Sequence, residues 1–385
     1  MRIAMVSDRA STHVHNLSAA LAGREHEVTV YMRRDGPGRP AETTLDGYRV
    51  VAVPAGPARP LPDTDLLSHM EEFAGLVRER WASAPPDVGH AHRWLPGLAA
   101  TSAGQATGVP VVQTFHTLAG IEQRRSGAGP AAPAARAGVE RTVANDARWI
   151  AAACTDELRE VVRMGVPRTR ISVVSGGVDL DRFVPEGPRQ PRDKYPHRLV
   201  AAGTLLPPKG FATAIAALRA LPDTELVIAG GPDKRELGTN EHARFLRSFA
   251  GSMSVGDQVR LAGHVPHEQM PALLRSADAV VCTPWYDPFG TVALEAMASG
   301  VPVVAAAAGG LADIVVDGVT GLLVPPRKPR ELAGALRGLL GRRALREQYG
   351  AAGRDRAWAR FGWDRVAGEL ARVYELATAD QLART

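Results

Sequence analysis

The chain has 385 residues, 45% of them hydrophobic and 23% charged, with a mean hydropathy of -0.11. That apolar share fills a large core and excludes a mainly disordered chain, and the length suits two domains. No apolar run reaches the ~18–20 residues that cross a bilayer. The net charge of +5 comes from 46 Lys and Arg against 41 Asp and Glu. No basic stretch interleaved with aromatics marks a nucleic-acid partner. Cys154 and Cys282 lie far apart without CxxC or Cys/His ligand spacing. A disulfide framework and a structural zinc are therefore not expected, and a reducing cytoplasm is the expected location.

The opening Met1-Arg2-Ile3-Ala4-Met5-Val6-Ser7-Asp8 meets a charge too soon for a secretory signal and reads as a first strand over Arg2–Ser7. Strand candidates follow at Glu27–Met32, Tyr48–Pro54, Asp87–His92, Pro110–His116, Trp149–Cys154 and Ile171–Ser175. Amphipathic stretches at Val14–Leu21, Leu66–Trp81 and Leu95–Ala106 separate several of them. This rhythm predicts a parallel sheet with helices on both faces. Gly127 to Ala137 reads as a loop leading into a helix near Arg136.

After Ser175-Gly176-Gly177-Val178-Asp179, the Pro/Arg-rich stretch from Pro185 to Pro196 has the composition of a linker. The pattern then restarts with Arg198–Gly203, Glu225–Gly230, Gln258–His264, Ala279–Pro284, Val301–Ala306 and Gly321–Pro325. The prediction is an α/β chain of two doubly wound Rossmann-like domains, 1–185 and 186–362. A last helix near Trp363–Leu376, within 363–385, is expected to cross back to the first domain, with a hinge near Val178. Ligands of such sheets bind beyond the carboxyl ends of the strands, so a site in a cleft between facing domains is expected. Arg342, Arg343, Arg346, Arg354, Arg356 and Arg360 have helical spacing and read as a solvated face. The alternative for that face is a weak peripheral contact with an anionic membrane.

The chemistry concentrates after Trp285. Tyr286-Asp287-Pro288-Phe289-Gly290 forms a Gly-containing turn between a strand ending at Pro284 and a helix starting near Thr291. Backbone N–H groups at such a helix start suit a phosphate or a developing anion. Asp287 and Glu295 bracket the start, and carboxylates placed so commonly accept hydrogen bonds from sugar hydroxyls. Lys209-Gly210 is a second loop-to-helix start, suited to a phosphate. His90 and His92 alternate onto one strand face and read as cleft lining or packing, since no third metal ligand accompanies them. Asp63-Thr64-Asp65 reads as a helix start and Asp179-Leu180-Asp181 as part of the linker. Gly127-Ala128-Gly129-Pro130-Ala131-Ala132 imitates a dinucleotide fingerprint without a strand before it. A nicotinamide enzyme and a metal site are therefore not expected.

The Asp-Pro-Phe-Gly segment at Asp287, the acidic residue eight positions on, and Glu295-Ala296-Met297-Ala298-Ser299-Gly300-Val301-Pro302-Val303-Val304 resemble family 4 glycosyltransferases of the GT-B fold. The resemblance extends over Gly309-Gly310-Leu311-Ala312-Asp313-Ile314-Val315, Asp317 to Val324, Ser172 to Phe183, and Ala202-Gly203 to Lys209-Gly210. It implies that Glu295 binds the ribose hydroxyls of a nucleotide and that Asp287 holds hydroxyls of the donor sugar. It further implies that Phe289, Gly290 and Thr291 form the donor loop, with main-chain amides of Gly290 and Thr291 toward the sugar or β-phosphate. Lys209, beside Gly203 and Thr204, matches the residue that neutralises the diphosphate. His116, in Gln113-Thr114-Phe115-His116-Thr117, matches a histidine facing the donor sugar. The resemblance implies retaining transfer without a metal or other cofactor, from a nucleotide diphosphate sugar such as UDP-GlcNAc.

Two departures stand out. The family usually has Arg where this chain has Thr204, and a Gly-Gly pair in the first loop, which here reads Asp8-Arg9-Ala10-Ser11-Thr12-His13. Arg9 is an expected substitute cation, and Arg9, Thr117 and Arg136 are the expected acceptor contacts. The subfamily resembled most is the actinobacterial one that glycosylates inositol phosphate and, in antibiotic pathways, aminocyclitols. The departures favour a small polar acceptor such as an aminocyclitol over inositol phosphate, a glycan or a lipid carrier. A GT-B epimerase or a non-catalytic nucleotide-sugar binding protein is the alternative class.

Overall fold

The computed structural model describes residues 1–126, 135–192 and 194–382. The expected loop from Gly127 and the fingerprint-like Gly127 to Ala132 lie outside the described residues. Two compact units emerge: Met1–Gly176 together with the chain from Trp363, and Gly177–Gly362.

The first unit is built on eight strands: β1 (Arg2–Ser7), β2 (Glu27–Arg33), β3 (Glu42–Leu45), β4 (Tyr48–Val53), β5 (Val88–His92), β6 (Val111–Thr114), β7 (Trp149–Ala152) and β8 (Ile171–Val173). Their order is β3-β4-β2-β1-β5-β6-β7-β8. All pairings are parallel except that of β3 with β4. Strands such as β1 are buried on both faces, which explains their unbroken apolar runs. The closing helix Trp363–Leu382 belongs to this unit. Its stripe Val366, Leu370, Val373, Tyr374 and Ala377 packs into one core with Ile3, Met5, Leu17 and Leu21, and the three- and four-residue spacing sets that face.

The second unit has six parallel strands, β9 (His197–Ala202), β10 (Thr224–Ala229), β11 (Val259–Gly263), β12 (Ala279–Cys282), β13 (Val303–Ala306) and β14 (Gly321–Val324), ordered β11-β10-β9-β12-β13-β14. Leu199, Ala201, Leu226 and Ile228 enter one core, whereas Val200, Val227, Ala229 and Val280 enter another. Alternate residues of each strand thus feed two helix layers, as in a doubly wound sheet. The order reverses between β9 and β12, so the loops after these strands flank the switch point where ligands of such sheets bind.

The boundary falls at Gly176/Gly177 rather than after Pro185. Val178 and Phe183 are buried in the second unit's core, and the Val178 amide donates to the Phe361 carbonyl at 2.8 Å. Val178 also bridges to Gly362, so both ends of this unit lie side by side. The Pro185–Pro196 stretch is strapped down rather than a free linker. Gln190 donates its amide to Ala272, and Arg275 donates to the carbonyls of Val184 and Pro188. The arginine-rich helix Arg343–Arg360 is not a purely solvated face either, because Arg356 donates to the carbonyls of Asp313 and Ile314. Among the described residues no helix is long and apolar enough to cross a membrane.

Candidate active site

In the second unit the site grows from two loops at the carboxyl edge. Gly203 turns the chain after β9 at φ +144, and the exposed Thr204 follows it. The chain then folds through the short turn Pro207–Lys209 onto the loop after β12. Trp285 donates its amide to the Pro208 carbonyl at 2.8 Å, and the Thr283 hydroxyl donates to the Gly210 carbonyl at 3.0 Å. These bonds bring Lys209 Nζ to 3.5 Å from Asp287 Oδ2. Gly210 sits at φ +71, where a Cβ would stand 1.8 Å from the Thr283 carbonyl oxygen. Gly210→Ala is therefore expected to push the Lys209 loop away from Asp287. Tm should fall by several degrees, since such strain costs about 1–3 kcal/mol. A melting curve checks it.

Asp287 also shapes its own loop. Its Oδ1 accepts the amides of Phe289 at 3.2 Å and Gly290 at 2.8 Å. The Gly290 amide, expected to face a ligand, is thus turned to Asp287 instead. Gly290 caps the helix Thr291–Ala298 in the left-handed conformation, and the first-turn amides from Thr291 onward have no acceptor within the helix. Glu295, only 6% exposed, lies about one turn inside that helix. Its Oε1 is 3.0 Å from His267 Nε2, while Arg182 Nη1 is 2.6 Å from His267 Nδ1. A guanidinium only donates, so Nδ1 accepts and Nε2 carries the proton given to Glu295. His267 was absent from the expected site. A lone histidine far from the motif offers no spacing to read.

In the first unit Arg9 follows β1, His116 and Thr117 follow β6, and Arg136 opens the helix Arg136–Asp146. His116 follows β6 at φ +66, a strained conformation for a side chain of this kind. Its Nε2 is 3.0 Å from His92 Nδ1. His13 stands edge-on to both rings, and His90 lies 4.2 Å from His92, centroid to centroid. Tyr374 and Thr114 hold His90 at 2.8 and 3.0 Å. Burial pushes the His13 ring down to about 4 and the His90 ring to about 3. It also holds His92 and His116 well below the usual histidine range, with the neighbouring rings adding to the effect. These rings are neutral near pH 7. His90 and His92 are each 1% exposed and pack inside the unit, one of the two roles, cleft lining or packing, that their alternation allows. No cluster of three or more metal-ligating side chains forms among the described residues.

The expected acceptor cations are not free. Arg9 pairs with Asp63 at 2.7 Å and Asp8 at 3.0 Å. Arg93, at φ +76, grips the same two carboxylates, and Trp94 adds an N–H to Asp63. Arg136 bonds Glu140 at 2.6 Å, Glu122 at 2.9 Å and the Thr117 hydroxyl at 3.0 Å. The structure thus brings Thr117 and Arg136 together, but as parts of a neutralised network. A cavity of about 470 Å³ opens beside Arg9, with Ser11, Thr12, His15 and Tyr48 in its wall.

Residues 10–182 match the profile of Glycosyltransferase Family 4, and residues 188–356 that of Glycosyl transferases group 1. A D-inositol 3-phosphate glycosyltransferase of Xylanimonas cellulosilytica is 35% identical, over 97% of this chain and 93% of the relative. The chain is a family 4 glycosyltransferase. A glycogen synthase of Mycobacterium tuberculosis is also 35% identical, over 97% of this chain and 94% of that one. Among solved structures, the family fold superposes on sucrose-phosphate synthase from Thermosynechococcus elongatus with a TM-score of 0.87, at 25% identity, over 99% of this chain and 100% of the other. Anabaena Alr3699/HepE, solved with UDP and glucose, gives 0.73 at 19% identity, over 97% and 98% of the two chains, a likeness of fold. The two Rossmann-like units of this glycosyltransferase are those of the GT-B architecture.

Proposed function

We propose that this glycosyltransferase moves a sugar, with retention at the anomeric carbon, from a UDP sugar such as UDP-GlcNAc to a hydroxyl of a small polar acceptor of the aminocyclitol kind. The observation that carries the reading is the Lys209–Asp287 contact of 3.5 Å at the start of the helix Thr291–Ala298, with Glu295 one turn inside it. Glu295, oriented by His267, receives the ribose hydroxyls, and Asp287 receives hydroxyls of the sugar. Breaking the anomeric C–O bond leaves an oxocarbenium-like carbon and adds negative charge to the diphosphate. The Lys209 ammonium and the first-turn amides meet that charge where it grows, which is the differential binding that catalysis requires. The acceptor hydroxyl attacks from the side the diphosphate vacates and gives its proton to a diphosphate oxygen. No carboxylate has to act as a nucleophile, unlike the paired acids of retaining hydrolases. Arg327, stacked on Trp285 at 4.1 Å, supplies a second cation at the same edge, where Thr204 replaces the family's Arg.

The acceptor assignment rests on charge. Arg9, Arg93 and Arg136 are each already paired with carboxylates, which favours a neutral or amine-bearing acceptor over a phosphorylated one. The cavity beside Arg9 lies in the usual size range for small-molecule sites. UDP and dTDP sugars assayed for nucleotide release with aminocyclitols, inositol and inositol phosphate decide the matter. UDP release with an unphosphorylated amino-bearing cyclitol is the expected result. Release confined to inositol phosphate would support a second reading, which the name of the 35%-identical relative favours. Nucleotide binding with no product for any acceptor would point to a binding protein or an epimerase.

A further inference from the structure

We propose that the second unit holds a separate site for a soluble phosphorylated small molecule, at the opposite edge of its sheet from Lys209 and Glu295. A cavity of about 710 Å³ opens at the amino ends of β12 and β13, where Asp278 and Pro302 precede the strands. Among the described residues five arginines line it, Arg189, Arg192, Arg275, Arg343 and Arg346, against two carboxylates, Asp278 and Glu347. Arg192 and Arg346 share Asp278, at 2.6 and 3.7 Å. Arg343 occupies Glu347 at 2.8 Å. Arg275 is 7% exposed, and its guanidinium is held by the Val184 and Pro188 carbonyls, both at 3.0 Å, while the positive charge of Arg189 bears on it and Glu186 offsets part of that. Guanidinium groups gathered around one cavity repel, and among its described lining residues they outnumber the carboxylates.

Two further observations point to an anion. Ser299 is among the residues lining the same cavity, is 3% exposed, and its buried hydroxyl has no hydrogen-bond partner among the described residues. The 18-residue helix Arg343–Arg360 begins at this cavity with Arg342 in the cap position, no side-chain cap and no acidic residue in its first turn. Planar guanidinium forks, a buried hydroxyl and open helix amides are together the donor set that phosphate oxygens recognise. The concavity suits a phosphate ester about the size of a sugar phosphate rather than a flat lipid surface.

The test titrates the full chain, saturated with UDP, with inorganic phosphate, pyrophosphate and glucose 6-phosphate in a calorimeter. Phosphatidylglycerol vesicles form a parallel arm. The site predicts saturable binding of at least one free phosphate, preserved in Lys209→Ala. Binding should weaken at least ~tenfold in an Arg189→Glu/Arg343→Glu double variant, whose side chains are exposed and whose melting curve verifies the fold. Absence of binding by all three phosphates, binding unchanged in the double variant, or binding to vesicles alone would overturn the proposal. Because Lys209→Ala disables the donor site, failure here and failure of the transferase reading are distinguishable.

Discussion

Lys209→Ala is expected to lower kcat for sugar transfer by about 10²–10³-fold, the usual cost of losing one donor to a developing oxyanion. The diphosphate is already charged in the ground state, so KM should rise as well and kcat/KM should fall further than kcat. The fold should survive. The Lys209 side chain is 36% exposed and its ion pair with Asp287 is partly solvated, so the pair adds little stability. Lys209→Arg, which restores the charge with a different reach, should recover part of the loss. Steady-state nucleotide release with and without acceptor measures all three. A turnover within about twofold of the parent would remove Lys209 from the mechanism.

Acid should unfold this protein earlier than its carboxylate content alone implies. His13, His90, His92 and His116 are neutral in the fold, with Tyr374, Thr114, Trp363 and Arg93 around them. Once released, each binds a proton near the ordinary value of about 6.5. The stability they contribute is complete above about pH 6.5. It drains away as the pH falls toward about 4 for His13 and about 3 for His90. For His90 alone the loss by pH 4.5 is on the order of 3 kcal/mol. One group opposes the trend: burial raises Glu157 to about 7, against the pull of the Ala153 and Phe115 amides. Its contribution is full below about 4.5 and fades as the pH rises through 7. Four rings outweigh one carboxyl, so Tm should fall steeply between pH 6.5 and 4.5. His13→Phe should flatten the slope by about one proton. A Tm constant across this range would refute the account.

The parallel architecture is legible because strands buried on both faces must be written as apolar runs, and the turn and helix start around Asp287 because Asp287, Gly290 and Glu295 sit on consecutive turns of chain. The missing parts have physical reasons. β3 is a largely exposed antiparallel edge strand, so its Glu42-Thr43-Thr44-Leu45 carries no core pattern. The Asp8, Asp63 and Arg93 network joins three distant stretches, and no spacing announces it. Asp63 reads as a helix start and heads Asp63–Leu66; its second task, gripping Arg9 and Arg93, appears only in three dimensions. The Pro185–Pro196 stretch has the composition of a loose tether, yet long-range bonds to Arg275 and Ala272 hold it down.

The pairing of Val178 with Gly362 means that the chain leaves and re-enters the first unit through adjacent strands of backbone. The second unit is therefore an interposed cassette, and the closing helix completes the first unit's core after the detour. A splice at those two points would exchange the whole second unit in a single graft and leave the first unit's core intact, and under the proposed function it would carry the donor preference with it.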